Sequence, residues 1–267
     1  MSSYAITGAS KGIGREFVRQ LAADSANTVL AIVRDPESTD ISDLASKYSN
    51  VHIIKGDVTD PKSILEAATA AAAITDGKLD VLIHNSNAVH GASMPFTPSQ
   101  LPFDSQAIQE IFNPSLSTAI YGGLWATNAF LPLIEKGVQK KIVHISSGMA
   151  DVELIKKTGI SDAVAYSIAK AGMNVVVAKY ATELAPRGIK VLALSPGWVD
   201  TSEGEKPAEA VYAIEVMLKK FQKVEPELKG QIQPEESVRK CLQVIGLLDA
   251  ASSGLFLTQN GDKSRWF

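Results

Sequence analysis

Cysteine is nearly missing from this chain: Cys241 stands alone among 267 residues, so no disulfide can form within it. Its neighbours Leu242, Val244 and Ile245 are apolar, which reads as a packed thiol and not a nucleophile. Charge of one sign is missing too. Lys and Arg number 26 against 29 Asp and Glu, a net charge of −3, which leaves no clustered basic footprint for a nucleic acid. The pair Lys219-Lys220 reads as a solvated helix face. No apolar run approaches the ~20 residues of a membrane span. The start, Met1-Ser-Ser-Tyr4, passes into a first strand without a charged leader and long apolar segment, so no secretion signal is expected. A soluble, cytoplasmic chain follows as the expectation. The four histidines, His52, His84, His90 and His144, include no pair at the i, i+4 spacing of metal-binding helices, and no metal is expected. His84 and His144 lie on or beside strands and read as core or crevice histidines, whereas His90 could line a pocket.

No linker, fixed-period repeat or low-complexity tract divides the chain. The alanine run from Ala67 to Ala73 reads as helix. Strand-like runs near Val29, Val51, Val81, Ile142, Val191 and Leu255 alternate with helical stretches from start to end. That alternation predicts the α/β class: one doubly wound parallel sheet with helices on both faces, and a single domain over 1–267. The length suffices for a sizeable core.

The first unit is strand, glycine turn, helix. Tyr4-Ala-Ile-Thr7 is a short apolar strand, Gly8-Ala-Ser10-Lys11-Gly12-Ile13-Gly14 follows, and the next residues carry apolar side chains at helical spacing. In such a unit the N–H groups at the helix start point at the pyrophosphate of a dinucleotide, and glycines let the backbone approach it. Glycines also serve ordinary turns, so position between strand and helix carries the argument.

Two further segments hold proton chemistry. Ala163 to Leu184 reads as a helix that puts Tyr166 and Lys170 on one face, one turn apart. A phenol has an ordinary pKa near ~10, and a nearby cation favours its phenolate. Lys170 can supply that charge while bonding a ribose hydroxyl. Taken alone, such a pair is an ordinary surface couple. Here it accompanies the strand Lys141-Ile-Val-His-Ile145, which ends in Ser146-Ser147, and strand C-termini face the ligand crevice in open α/β sheets. Ser147 can hydrogen-bond a carbonyl oxygen beside Tyr166, or can simply satisfy its own turn.

TGASKGIG, the Ile145-Ser-Ser147 strand end, Tyr166-Ser-Ile-Ala-Lys170 and Ser195-Pro-Gly-Trp-Val-Asp-Thr201, in this order, resemble the short-chain dehydrogenase/reductase family across essentially the whole chain. The run from Ile232 through Leu257 and Trp266 further resembles fungal-type carbonyl (keto) reductases. The resemblance implies a Rossmann-type fold and a catalytic set of Ser147, Tyr166 and Lys170. Ser147 would orient the carbonyl, Tyr166 would give or take the proton, and Lys170 would lower the Tyr pKa and hold the ribose, while the cofactor carries the hydride. It implies cofactor contacts from Gly8, Ser10, Lys11, Gly12, Ile13, Gly14, Arg34, Asp57, Val58, Asn85, Tyr166, Lys170, Pro196, Gly197, Val199 and Thr201. It also implies a lid over about 202–222, with Gly204 in its hinge, and a homodimer or homotetramer using the helices of Trp125 and Tyr166.

The chain departs from the family pattern twice. His84-Asn85-Ser86-Asn87 replaces N-N-A-G, and counting back from Pro132 puts Ala119 where a catalytic Asn normally holds a relay water. Asn113, followed by Pro114, reads as a helix N-cap before an N1 proline. Another group must hold that water, or the relay is shortened, or activity is reduced.

The strand Thr28–Val33 ends without an acid to bond a 2′-hydroxyl, and Arg34 follows, suited to a 2′-phosphate. Lys11 adds a second cation, while Asp35 turns away into the Asp35-Pro36 turn. NADPH is therefore expected over NADH. Irregular stretches from Gly148 to Val164 and from Ser202 to Pro207, the latter continuing into a helix from Ala208 to Lys220, should shape the substrate pocket. Met149, Val152, Leu154, Ile155 and Ile160 could face a hydrophobic ketone or cap the core, and Trp198 could form a wall or pack inside. The expected activity is NADPH-dependent interconversion of a ketone or aldehyde and its alcohol. The alternatives are a cofactor-binding sensor or scaffold without turnover and a redox-neutral dehydratase or epimerase on the same fold.

Overall fold

Runs of valine, isoleucine and leucine bounded by turn residues form seven strands in the computed structural model, which describes residues 2–37, 39–202 and 204–267. They are β1 (Ser3–Thr7), β2 (Thr28–Val33), β3 (Val51–Lys55), β4 (Val81–His84), β5 (Lys141–Ile145), β6 (Lys190–Ser195) and β7 (Phe256–Thr258). All pair in parallel, in the order β3-β2-β1-β4-β5-β6-β7. The winding reverses at β1: β2 and β3 lie to one side, and β4 onward to the other. Connections leaving β1 and β4 therefore depart to opposite faces, which opens a crevice above their C-terminal ends.

The helices are α1 (Gly12–Ala22), α2 (Thr39–Lys47), α3 (Pro61–Ile74), α4 (Ser105–Ser115), α5 (Gly122–Lys136), α6 (Val152–Thr158), α7 (Val164–Leu184), α8 (Ala208–Phe221) and α9 (Pro234–Leu247). Alternate strand residues feed two cores. Leu30, Ile32, Leu82 and Ile142 pack with α3, α5 and α7 through Ala67, Phe130 and Val177. Ile6, Val29, Ile83 and Val143 pack with α1, α2 and α9 through Phe17, Ile41 and Val238. Burial on both faces explains why these strands are mostly apolar and do not alternate. Phe130 is fully enclosed, so truncating it to alanine costs about 3–5 kcal/mol. Cys241 is buried in the second core, where burial pushes its thiol up to about 12.

Two segments differ from the sequence reading. Asn113-Pro114 does not start a helix. Asp104 caps α4, accepting from the Ala107 N–H at 2.8 Å, and Pro114 lies inside that helix. Proline cannot donate to the carbonyl one turn back, and the chain next widens into a π turn, Leu116–Tyr121, before entering α5. Ser117 and Thr118 fold their hydroxyls onto the Pro114 carbonyl at 3.3 and 2.7 Å. The stretch from Gly148 to Val164 is not wholly irregular either. It holds α6, whose first turn is capped by Asp151 accepting from the Leu154 N–H at 3.0 Å.

Candidate active site

The crevice is a cleft of about 1390 Å³, larger than the ~300–1,000 Å³ of ordinary small-molecule sites. At one end α1 begins. Its first turn carries no acid and its N-cap residue, Lys11, makes no side-chain cap, so the leading N–H groups keep their capacity for an anion. Gly8 (φ 64°) and Gly12 (φ 54°) turn the loop through left-handed conformations, and Ser10, Lys11 and Ile13 join them along the wall. Gly14 stands apart from the other predicted cofactor residues, because it does not line the cleft. A Cβ there would fall 2.1 Å from the Gly8 carbonyl oxygen and 2.6 Å from Asn85 Nδ2, so this glycine lets the helix close on its own loop. Asn85 locks the arrangement by donating from Nδ2 to the Gly8 carbonyl at 3.1 Å.

The other predicted cofactor residues meet on this cleft: Arg34, Asp57, Val58, Asn85, Pro196, Gly197, Val199 and Thr201, with Tyr166 and Lys170. Arg34 is exposed at the end of β2. Asp35 also reaches the cleft, with Oδ1 accepting from the Glu37 N–H at 3.1 Å. Asp57 accepts from the Thr59 N–H and hydroxyl at 2.9 and 2.7 Å, which fixes the turn after β3. The segment after β6 is held from behind, Ser237 donating to the Pro196 carbonyl at 2.6 Å. A Cβ on Gly12 would touch Thr201 at 3.4 Å, so that residue sits on the glycine loop. Cradle, cation and volume together fit a nicotinamide dinucleotide. Among the described residues, no group of three or more His, Cys, Asp or Glu side chains is placed to hold a metal ion.

The proton-bearing residues converge beside β5. Ser146 is buried and spends its hydroxyl on Asn174 Oδ1 at 2.7 Å, which ties β5 to α7. Ser147, one residue on, caps its own turn by accepting from the Met149 N–H at 3.2 Å, and its hydroxyl lies near enough to the Tyr166 phenol to favour the phenolate. Lys170 follows one turn along α7 and donates to the Ile145 carbonyl at 2.7 Å, with Nζ 5.9 Å from the centre of the Tyr166 ring. The expected lowering of the phenol's pKa by this lysine is not what the geometry produces. Burial pushes Tyr166 up, the Ser147 hydroxyl opposes that, and burial pushes Lys170 down to about 8. Both charged forms are penalised by the protein packed around them, Lys170 being buried and Tyr166 half-buried on the cleft wall.

Sequence reasoning missed a polar row crossing the sheet under the cleft. Thr7, His84 and His144 occupy paired positions on β1, β4 and β5. The Thr118 carbonyl can only accept, so His84 Nε2 at 3.0 Å is the donor and its Nδ1 carries the lone pair. The Thr7 hydroxyl, 3.1 Å away, donates to that Nδ1 and accepts from the N–H groups of Asn85 and Ser86 at 3.1 and 3.3 Å. His84 thus links the turn beneath the glycine loop to the π turn. Burial, then the charge of Lys170, pushes His84 down to about 4, and burial holds His144 well below its ordinary value. His144 packs at 5.3 Å from His84 and meets the Thr127 hydroxyl through Nε2 at 3.1 Å, while its buried Nδ1 has no partner. A histidine at strand spacing was the signal available, and it could not show which neighbours the rings would meet.

Ala119, the position reached by counting back from Pro132, falls inside the π turn. Ala119 is buried, and Thr118 is the residue of this turn on the cleft, its hydroxyl accepting from the Ala88 N–H at 3.0 Å. His90 does not line the cleft, and its Nδ1 is buried without a partner. At the far end stand Met94, Met149, Trp198, Met217 and Phe221, with Trp198 edge-on to Phe221 at 4.9 Å. Leu154 and Ile160 are buried and Val152 is exposed, so only Met149 of the first apolar set reaches the wall beside Trp198. Lys220 is not a purely solvated side chain. Helical spacing from Ala213 and Met217 brings it onto the cleft, whereas Lys219 stays exposed.

Residues 3–210 match the family described as short chain dehydrogenase. The short-chain dehydrogenase/reductase atnB of an Arthrinium species is 44% identical over 264 residues, covering 98% of each chain. The short-chain dehydrogenase/reductase AacuF of Aspergillus aculeatus is 38% identical over 268 residues, covering 98% of this chain and 99% of its own. The NADPH-bound carbonyl reductase from chicken fatty liver has a TM-score of 0.78 at 28% identity, with 98% of each chain covered.

Proposed function

The chain belongs to the short-chain dehydrogenase/reductase family of nicotinamide-dependent oxidoreductases, and from that premise we propose that it is an NADPH-dependent carbonyl reductase in which Tyr166 is the acid-base. The observation that carries the reading is the meeting of Ser147, Tyr166 and Lys170 on one cleft with the glycine loop and Arg34. The cofactor, when bound, supplies the hydride. Ser147 holds the substrate carbonyl oxygen beside the phenol, and Tyr166 delivers a proton to that oxygen. A phenol is protonated at neutral pH at its ordinary pKa near ~10, and burial pushes Tyr166 further up, which suits it to the reducing direction. Lys170 binds the ribose and, on leaving the Ile145 carbonyl, turns its charge toward the phenol. Arg34 would take the 2′-phosphate in a forked, charge-assisted pair, with Lys11 as a second cation. The exposed Tyr121 ring, 6.2 Å from Trp125, together with exposed Ile168 and Val175 on α7, supports a homo-oligomer built on α5 and α7.

The test is oxidation of NADPH and NADH by the purified protein against a panel of apolar ketones and aldehydes. NADPH consumption with stoichiometric alcohol is expected, and NADH consumption at equal efficiency would overturn the cofactor assignment. One observation favours a second reading. With Lys170 engaged by Ile145 and the phenol pushed up, the set can bind cofactor without turning it over, as a sensor would. Saturable NADPH binding with no turnover of any carbonyl would select it.

A further inference from the structure

We propose that Asp162 and Lys220 form a subsite for a substrate hydroxyl, so that the preferred substrate is an apolar, ring-bearing ketone with a hydroxyl remote from the carbonyl that is reduced. The inference rests on reading the cleft as a carbonyl-reducing site. Asp162 lies four residues before Tyr166, on the segment that leads into α7, and Lys220 is on α8; both face the cleft. They approach from opposite sides, with Lys220 Nζ 3.5 Å from Asp162 Oδ2. That separation exceeds the ~2.7–2.9 Å of a tight charge-assisted bond. The second carboxylate oxygen, Oδ1, is buried without a partner. Ala163, immediately after, is held in the left-handed conformation (φ 53°, ψ 40°), an uncommon state for a residue with a Cβ, and its N–H donates to the Met94 carbonyl at 2.8 Å. The backbone at Asp162 is thus pinned to the cleft wall.

The same end of the cleft is lined mainly by apolar side chains, Met94, Met149, Trp198, Val216 and Phe221, with Tyr212 on α8 adding a phenol. Apart from Lys170, these two are the only charged residues among the described ones lining that end. Both side chains are about a quarter exposed, and their 3.5 Å contact leaves Lys220 Nζ and Asp162 Oδ2 short of a tight bond that a bridging group would complete. The choice of ligand group follows by elimination. A carboxylate would be repelled by Asp162 and an ammonium by Lys220. A hydroxyl donates its hydrogen to Asp162 and accepts from Lys220, satisfying both with no net charge. The apolar surroundings suit the ring that carries it.

The test compares cyclohexanones carrying a phenyl, a meta-hydroxyphenyl or a para-hydroxyphenyl group, both in NADPH-dependent reduction and in calorimetric titration of the NADP-loaded protein. A hydrogen bond to a charged partner predicts a preference of about tenfold or more for at least one hydroxylated ketone, in kcat/KM and in affinity. Lys220→Met and Asp162→Ala should each bring that ratio to within about twofold of unity, and Lys220→Arg should retain most of it. Equal handling of all three ketones by the unaltered protein, or a preference that survives both variants, overturns the subsite. Because affinity is read independently of turnover, a binding preference without reduction sustains the subsite while refuting the reductase reading.

Discussion

At the glycine-loop end of the cleft the chain presents backbone, in the left-handed turns at Gly8 and Gly12 and the N–H groups that open α1. At the opposite end it presents side chains gathered from segments distant in sequence, Met94, Met149, Trp198 and Phe221. Backbone recognition depends on where a Cβ is missing, so it is written as a short contiguous pattern and tolerates little change. Side-chain recognition depends on packing among distant elements, so it leaves no local pattern and can be altered residue by residue. Tyr166, Ser147 and Lys170 sit where the two modes meet.

The largest expected effect separates chemistry from both kinds of binding. Tyr166→Phe keeps the ring and removes the proton, so turnover should fall by about a hundredfold to ten-thousandfold. Fluorescence titration should meanwhile show NADPH affinity little changed; an equal loss of affinity would place the phenol in cofactor binding. The polar row beneath that junction is tested by acid. His84 is pushed down to about 4 in the folded chain, by burial and then by Lys170, against an ordinary 6.5. The unfolded chain therefore binds the proton first as pH falls. Stability is full above about 6.5 and is lost toward 4, on the order of 3 kcal/mol from this ring alone. His84→Gln should flatten thermal midpoints between pH 7 and 4.5, and a slope as steep as in the unaltered protein would assign acid lability elsewhere.

The contrast between the two ends also explains what was legible in the sequence. The parallel sheet, the helix read from Ala163 to Leu184 and the helix beginning at Ala208 agree closely with the structure, where the first of these helices starts at Val164. The glycine loop and the Tyr166 and Lys170 pair are contiguous, and they fall on the cleft as a short motif must. The π turn was illegible because Pro114 equally suits a helix start, and only the packing of Thr118 against Ala88 and His84 settles the choice. Lys220 was misjudged for a related reason: its helix has charged residues on more than one face, and what decides the facing is Asp162, nearly sixty positions earlier. The pKa of Tyr166 depends on burial, which composition does not disclose.

Backbone recognition can be broken by one carbon. Gly14→Ala puts a Cβ 2.1 Å from the Gly8 carbonyl, and the loop, being backbone, must move. Overpacking of this kind costs about 1–3 kcal/mol, and the displaced loop should weaken NADPH and NADH binding alike, by tenfold or more on the same free-energy scale. Gly246→Ala supplies the control. Nothing lies within 4 Å of that added carbon on α9, so a gain of about 0.5–1 kcal/mol is expected with unchanged cofactor affinity. If Gly14→Ala bound cofactor normally, the close approach of helix and loop would be incidental.

The smallest effect is the most selective one, because Arg34 is a side chain working at the backbone end. Arg34→Asp removes a cation placed at the end of β2 and installs an anion there. The loss should be confined to the cofactor that carries a 2′-phosphate: NADPH should show a KM raised about tenfold, with kcat nearly unchanged because the reacting end of the cleft is untouched. NADH should bind as well as before or better, since an acid at that position accepts from a 2′-hydroxyl. Raising salt should weaken NADPH binding in the unaltered protein more than in the variant, because Arg34 is exposed and its attraction is screened. An NADPH KM indifferent to both the substitution and the salt would move recognition of the adenosine end onto the glycine loop alone.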